Sequence, residues 1–121
     1  MIEYTVKVDK RGHKEWRLNG KLHREDGPAV EWAGGTKSWY LNGELHREDG
    51  PAIEWADGTK FWYLNGDRNR EDGPAIEYAD GSKSWYIDDV ELTEKEFKAR
   101  NKCNKIVTID GVDYELKEVV K

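Results

Sequence analysis

The sequence predicts a mainly β protein, an elongated twisted antiparallel sheet of tandem β-hairpin repeats with one short C-terminal helix and a terminal hairpin cap. A leading tryptophan recurs every 23 residues, at Trp16, Trp39, Trp62 and Trp85. Asn-Gly and Asp-Gly pairs, whose positive φ angles suit tight hairpins, recur within the units. Hydrophobic residues are only 36% of the chain, so its six Trp and six Tyr must supply much of the core.

Three full units and one partial unit form the array. Residues 16–38 read WRLNGKLHREDGPAVEWAGGTKS, residues 39–61 read WYLNGELHREDGPAIEWADGTKF, and residues 62–84 read WYLNGDRNREDGPAIEYADGSKS. A fourth unit opens as WYIDDVELT at Trp85 and then departs from the pattern. A fixed period of this kind is typical of arrays in which neighbouring units bury each other's faces. The predicted divisions are an N-terminal strand or cap at 1–15, the repeats at 16–92, and a C-terminal helix and hairpin cap at 93–121.

Each unit is predicted to be a hairpin with one core face. In the second unit the extended runs are Ala52–Ala56 and Thr59–Leu64, joined by Asp57-Gly58. Alternation along such runs assigns to the core Ile53, Trp55, Trp62 and Leu64, and elsewhere Val30, Trp32, Trp39, Leu41, Ile76, Tyr78, Trp85 and Ile87. The opposite face is predicted to carry Phe61 and a row of tyrosines beside a row of glutamates. A single hairpin is marginal in water, so neighbouring units are expected to pair.

The two ends differ from the repeats. Ile2–Val8 alternates as a strand. Thr93-Glu94-Lys95-Glu96 has the pattern of a capping box, with Thr93 as the N-cap and Glu96 reaching back, and predicts a helix from about Glu94 to Asn101. Ile106–Ile109 and Val112–Val119, on either side of Asp110-Gly111, are predicted to form a last hairpin. We expect the helix and this hairpin to close the open end of the sheet.

The repeat is similar to the MORN repeat. The shared features are the period, the order of N-G, then H, then D-G, and the aromatic start, and they cover Trp16 to about Ile87. A MORN unit typically has glycine after the histidine and near the aromatic pair. Here Arg24, Arg47 and Arg70 stand at the first position, and Leu18, Leu41 and Leu64 at the second. The resemblance implies stacked hairpins in an elongated sheet, with a scaffolding or partner-binding role.

The block LHREDGPA, at Leu22–Ala29 and Leu45–Ala52, also resembles repeats in proteins of tailed phages and large DNA viruses. That resemblance implies a phage or viral origin. Phages often use small acidic proteins to occupy host targets, including nucleases and defence complexes. By this analogy the chain is expected to bind, and to inhibit or sequester, a host protein in the host cytoplasm.

Composition and the absence of known motifs disfavour several classes of function. A formal net charge of −5 disfavours direct binding to nucleic-acid phosphates. The one cysteine, Cys103, cannot form an internal disulfide, which suits a reducing cytoplasm. No apolar run approaches about 18 residues, so no membrane span is predicted. The sequence offers no Ser/His/Asp or Cys/His constellation and no phosphate loop, so we expect neither an enzyme nor a cofactor.

Two repeated sets of side chains are candidate functional residues. The outer face is predicted to bind the partner through Tyr40, Tyr63, Tyr86, Glu31, Glu54 and Glu77, since aromatic side chains make interface anchors. The alternative for the tyrosines is burial beneath the C-terminal helix or hairpin. The His-Arg-Glu-Asp turns are interpreted as a structural ladder in which each arginine bonds a carboxylate of the next unit: Arg24, Asp26, Arg47, Asp49, Arg70 and Asp72.

The same turns admit a metal-site reading, which the replacement of histidine by Asn69 in the third unit disfavours, so no metal is predicted. His13 is interpreted as solvent-facing and outside the repeat register.

The leading hypothesis is a non-enzymatic module that binds a host protein or complex. The second is a structural or self-assembling scaffold forming a homo-oligomer, since repeat sheets have open edges. The third is a metal-dependent enzyme.

Overall fold

The computed structural model describes the backbone of residues 3–103, 105–109 and 112–116, and the side chains of residues 3–100. The strands are β1 Tyr4–Val8, β2 Lys14–Leu18, β3 Lys21–Leu22, β4 Val30–Glu31, β5 Lys37–Ser38, β6 Tyr40–Leu41, β7 Glu44–Leu45, β8 Ile53–Glu54, β9 Lys60–Phe61, β10 Tyr63–Leu64, β11 Asp67–Arg68, β12 Ile76–Glu77, β13 Lys83–Ile87 and β14 Val90–Leu92. Helix α1 Glu94–Cys103 follows, and then the strands β15 Lys105–Ile109 and β16 Val112–Leu116. The chain divides into one compact unit that ends at Glu91 and a second that starts at Leu92.

One antiparallel sheet carries the repeats. Ten of the described strands belong to it, in the order β1-β2-β4-β5-β8-β9-β12-β13-β14, with β3 paired to β2. Each unit adds a pair of short strands to this sheet, such as β8 and β9, and a side hairpin, such as β6 and β7. The mainly β class, with consecutive antiparallel hairpins and one short C-terminal helix, is therefore confirmed.

The Asn-Gly turns close the side hairpins. Asn42 and Gly43, between β6 and β7, have φ angles of 50° and 83°. Two successive positive φ angles are those of a type I′ turn, whose twist matches the flanking strands. The sequence signal and the observed geometry agree at this turn and at its equivalents in the other units.

The strands of the main sheet are shorter than predicted, because the turn between them is wider. The Trp55 N–H donates to the Thr59 carbonyl at 2.9 Å, so the loop already begins at Trp55. At the other end, Trp62 interrupts the strand. Its N–H donates into the main sheet, to Ala75, while its carbonyl accepts from Asn69 in the side hairpin. The run predicted at Thr59–Leu64 is thus two short strands that belong to two different sheets.

Cross-strand register corrects the predicted faces. Phe61 lies opposite Ile53 and Ile76, and residues that lie opposite each other share a side of the sheet. Glu54 lies opposite Lys60, on the other side. The prediction that placed Phe61 with the glutamates is therefore wrong. Trp55 also packs on Phe61, with ring centroids 4.5 Å apart, so it lies on the side of Ile53, as alternation along the first run predicts.

The core is divided between the two sides of the sheet. One side, called here the aliphatic side, carries the cross-strand row Val30, Ser38, Ile53, Phe61, Ile76 and Ser84. The leading tryptophans occupy the opposite side, called here the tryptophan side. Ala29, Ala52 and Ala75, which were not among the predicted core residues, are 0% exposed, whereas the predicted core residues Trp32 and Tyr78 are 46% and 43% exposed. The predicted single Trp/Ile/Leu stripe is therefore wrong.

The repeat register begins before Trp16. His13 Nδ1 accepts the N–H of Ala33 at 2.8 Å. Thr36 Oγ1, one period later, accepts the N–H of Ala56 at 3.2 Å in the same way. His13 is half-buried and packs its ring on Trp32, with centroids 5.1 Å apart. It is thus a repeat residue, and the interpretation that placed it outside the repeat register is wrong.

The C-terminal elements form where the sequence predicts them. The capping box is present, since the Thr93 N–H donates to Glu96 Oε1 at 2.9 Å and the Glu96 N–H donates to Thr93 Oγ1 at 3.1 Å. Helix α1 runs two residues beyond the predicted end, to Cys103, and β15 and β16 pair antiparallel. Ile2, the Asp110-Gly111 turn, Lys117–Val119 and the side chain of Cys103 lie outside the described part of the chain.

Candidate functional site

Each full unit encloses its repeated arginine on the tryptophan side. The Arg47 guanidinium lies over the Trp39 ring, with Cζ 3.9 Å from the ring centroid. Its Nε donates to Asp49 at 3.0 Å, and its Nη1 donates to Glu54 at 2.7 Å and to the Pro51 carbonyl at 3.1 Å. The equivalent groups are Arg24 with Trp16, Asp26, Pro28 and Glu31, and Arg70 with Trp62, Asp72, Pro74 and Glu77. We call this arrangement the arginine cage.

The carboxylates of each arginine cage come from the arginine's own unit. Arg47 bonds Asp49 and Glu54, which both lie within residues 39–61. The predicted bond to a carboxylate of the next unit is therefore wrong, because the segment between Arg47 and Glu54 turns back and brings Glu54 against the arginine of its own unit. Asp49 is well exposed and contributes little stability, whereas the half-buried Glu54 makes the stronger charge-assisted bond.

A glycine closes the cage on the side away from the ring. A Cβ added to Gly50 would lie 2.9 Å from Arg47 Cζ and 3.1 Å from its Nε. Gly27 and Gly73 stand against Arg24 and Arg70 in the same way. These glycines, unlike those in the turns, have no positive φ angle. Glycine is thus required at the end of the REDG sequence because a side chain there would clash with the arginine. The guanidinium lies between the glycine backbone and the tryptophan indole.

The histidines of the turns join neighbouring units. Nδ1 of His46 accepts the N–H of Asn65 in the next unit at 3.0 Å, so the imidazole proton is assigned to Nε2. His23 accepts the N–H of Asn42 in the same way, at 2.9 Å. In the third unit Asn69 Oδ1 accepts the N–H of Asp88 at 2.8 Å. Asparagine can replace histidine here because both side chains offer an acceptor at this position.

This geometry bears on the metal alternative. The Nδ1 atoms of His23 and His46 are occupied by backbone donors of the following units. Among the described residues, no group of three or more His, Cys, Asp or Glu side chains could hold a metal ion. The repeated His-Arg-Glu-Asp turns are accounted for by the cages and the joints between units.

The predicted tyrosines lie on the aliphatic side. The Tyr63 ring stacks on Phe61, with centroids 6.3 Å apart and an interplanar angle of 13°. Burial raises the pKa of Tyr63 above its usual value. Phe61 also contacts Tyr78, edge to face at 6.2 Å. We call the set Tyr40, Trp55, Phe61, Tyr63, Tyr78 and Tyr86 the aromatic patch.

One charged pair, between the third and fourth units, adjoins the aromatic patch. Arg68 lies over the Tyr86 ring at 4.2 Å and donates to Asp89 Oδ1 at 2.7 Å. The bond to Asp89 raises the pKa of Arg68, and the Arg68 guanidinium lowers the pKa of Asp89. The first two units carry Leu22 and Leu45 at the position of Arg68. Sequence reasoning missed this pair, although the break in the repeat at Asp67-Arg68-Asn69 was a visible signal.

The predicted glutamates lie apart from the tyrosines. Glu31, Glu54 and Glu77 face lysines across the ladder, on the tryptophan side, and each accepts a bond from its arginine cage. Tyrosine and glutamate were predicted to share a face because Ile53 was placed on the side of Trp62, whereas the register sets Ile53 opposite Phe61. The two candidate sets therefore do not form one surface.

Two findings complete the description of the site. Within the residues that the structure describes, no helix has the length and apolar character needed to cross a membrane. Comparison with protein-family models, with curated proteins and with solved structures yields no match. The resemblance to MORN repeats and to viral LHREDGPA repeats therefore stays a prediction from the sequence.

Proposed function

We propose that the chain is a non-enzymatic protein-binding module whose partner docks on the aromatic patch. The observation that carries the proposal is the row of partly exposed rings on a regular sheet, with Tyr78 still 43% exposed at its margin. Tyr and Trp dominate interface hot spots, because they bury large areas. Rings held by a sheet and by each other lose little conformational freedom on binding.

The partner proposed is a host protein or complex, with inhibition or sequestration as the outcome. Support for this step comes from the LHREDGPA resemblance and from the net charge of −5, which favours basic partner surfaces and disfavours nucleic acid. Arg68 and Asp89 would supply polar contacts at the rim of the aromatic patch.

The test is capture of the partner with the tagged chain, followed by variants of the patch. Tyr63→Ala removes a central ring, and Tyr78→Glu places a charge on an exposed one. Each variant should weaken binding of the captured protein by about tenfold or more, which corresponds to about 1.4 kcal/mol. Lys60→Ala is the matched control and should bind normally, since Lys60 is exposed on the opposite side of the sheet.

Circular dichroism and thermal melting must show that the variants remain folded. If the folded patch variants bind as tightly as the original chain, the aromatic patch is not the interface. If no host protein is captured at all, the partner-binding proposal fails.

A further inference from the structure

The first strand of the sheet has an open edge. Among the described residues, β1 has β2 as its one neighbouring strand, and all five of its residues are exposed. Tyr4, Val6 and Val8 are 56%, 53% and 60% exposed. Ala29 is the equivalent of Val6 one period later, and it is 0% exposed. It is covered because strand β2 lies beside it, with the Trp16 N–H donating to the Ala29 carbonyl. The repeat thus shows what covers this edge elsewhere, which is another strand.

The backbone groups at this edge point outward at alternate residues. The Glu3 carbonyl accepts from Asn19, and the Asp9 N–H donates to His13, so both residues bond towards β2. Hydrogen bonding alternates along an antiparallel strand. The N–H and carbonyl groups of Tyr4, Val6 and Val8 therefore face away from β2, on the same residues that expose apolar side chains.

The sequence of β1 is complementary to itself. When two copies lie antiparallel with Thr5 opposite Thr5, Tyr4 of each faces Val6 of the other, and both members of that pair direct their backbone groups across the joint. Glu3 of each copy then faces Lys7 of the other, which gives two attractive charge pairs. The register with Val6 opposite Val6 instead sets Glu3 against Asp9, where like charges repel.

We infer that a second copy of the chain pairs with β1 in the Thr5-centred register, forming a closed two-fold dimer. The joint continues the sheet across the axis and covers Tyr4 and Val6 of both copies. In an isologous joint of this kind, the β1 edge of each copy is occupied by the β1 edge of the other. The association therefore stops at two copies and does not propagate. It is independent of the aromatic patch.

Charge reversal tests the register. In sedimentation equilibrium from about 1 µM to about 1 mM, the original chain should rise from one to two monomer masses. Glu3→Lys and Lys7→Glu should each weaken association by about tenfold, because two attractive pairs become repulsive. An equimolar mixture of the two variants should associate again. In the mixed dimer the introduced lysine faces the introduced glutamate, and native Lys7 faces native Glu3.

Two further variants separate pairing from general charge and folding effects. Lys10→Glu makes the same charge change in the exposed turn after β1 and should leave association unchanged. Val6→Pro removes an outward N–H without removing a bond to β2, so it should stay folded by circular dichroism and be monomeric. The inference is overturned by a chain that stays monomeric throughout, by an open series of larger species, or by a variant mixture that associates no better than its components. A folded Val6→Pro variant that still forms the dimer would overturn it as well.

Discussion

Substitution of Gly50 by alanine tests whether the arginine cage contributes to stability. The new Cβ would lie 2.9 Å from Arg47 Cζ, against the 3.4–4 Å of ordinary van der Waals contact. A free arginine would swing away at little cost. The Arg47 guanidinium, however, is held by the Trp39 ring on the face away from Gly50 and by bonds to Asp49, Glu54 and the Pro51 carbonyl. The clash must therefore be relieved by loosening those contacts.

The expected cost follows from the contacts that loosen. A cation–π contact at a partly exposed site contributes about 0.5–1 kcal/mol. A hydrogen bond to a charged group contributes about 1.5–3 kcal/mol when it is lost completely. Because the bond to Glu54 would be stretched rather than broken, we expect Gly50→Ala to destabilise the chain by about 1–3 kcal/mol.

Urea unfolding followed by tryptophan fluorescence measures this cost. Gly34→Ala is the control, since an added Cβ at Gly34 meets nothing within 4 Å and its φ is not positive. It should be neutral or slightly stabilising. In an Arg47→Ala background, Gly50→Ala should cost almost nothing, because no guanidinium remains to clash. An equal cost in both backgrounds would refute the cage as the reason for the glycine.

Three further predictions concern the joints between units and the helix. His46→Asn should be tolerated, because Asn69 makes the same bond in the next unit, whereas His46→Leu should cost about 1 kcal/mol in urea unfolding; equal costs would contradict the acceptor role. Thr93→Ala should destabilise α1 by about 1 kcal/mol, with a loss of far-ultraviolet circular dichroism on heating, and an unchanged melt would contradict it. The Thr93 N–H lowers the pKa of Glu96 below its usual 4.5, so the stabilisation is complete above that value and lost as the pH falls through the lowered pKa. Glu96→Gln should remove this pH dependence of the helix melt.

The features that could be predicted from the sequence are those set by short-range rules. An Asn-Gly pair demands a type I′ turn wherever it closes a two-residue hairpin, and Asn42-Gly43 forms one. The capping box at Thr93 depends only on residues three apart, and it forms as predicted. The 23-residue period shows that units stack but not how each strand is divided.

The faces could not be predicted, because alternation orders residues within one run but does not say which residues of two runs lie opposite each other. Ile53 lies opposite Phe61 and not on the side of Trp62, and the sequence spacing does not specify that register. The arginine partners depend on how the segment between Arg47 and Glu54 turns back, which the spacing of charges does not specify. The tyrosines were placed beside the wrong neighbours, since Tyr63 packs on Phe61 and Glu54 lies on the other side of the sheet.

The location of the arginine cage within single units has a consequence for the length of the array. Every strong side-chain contact of residues 39–61 is made either inside that segment or to the adjacent unit at a fixed offset. Removing the whole segment would therefore join residue 38 to Trp62 and return each donor to an equivalent acceptor. The number of repeats can therefore change by one unit at a time while the contacts between the remaining units stay the same. A chain lacking residues 39–61 should fold with a cooperative transition, and a non-cooperative melt would count against this modularity.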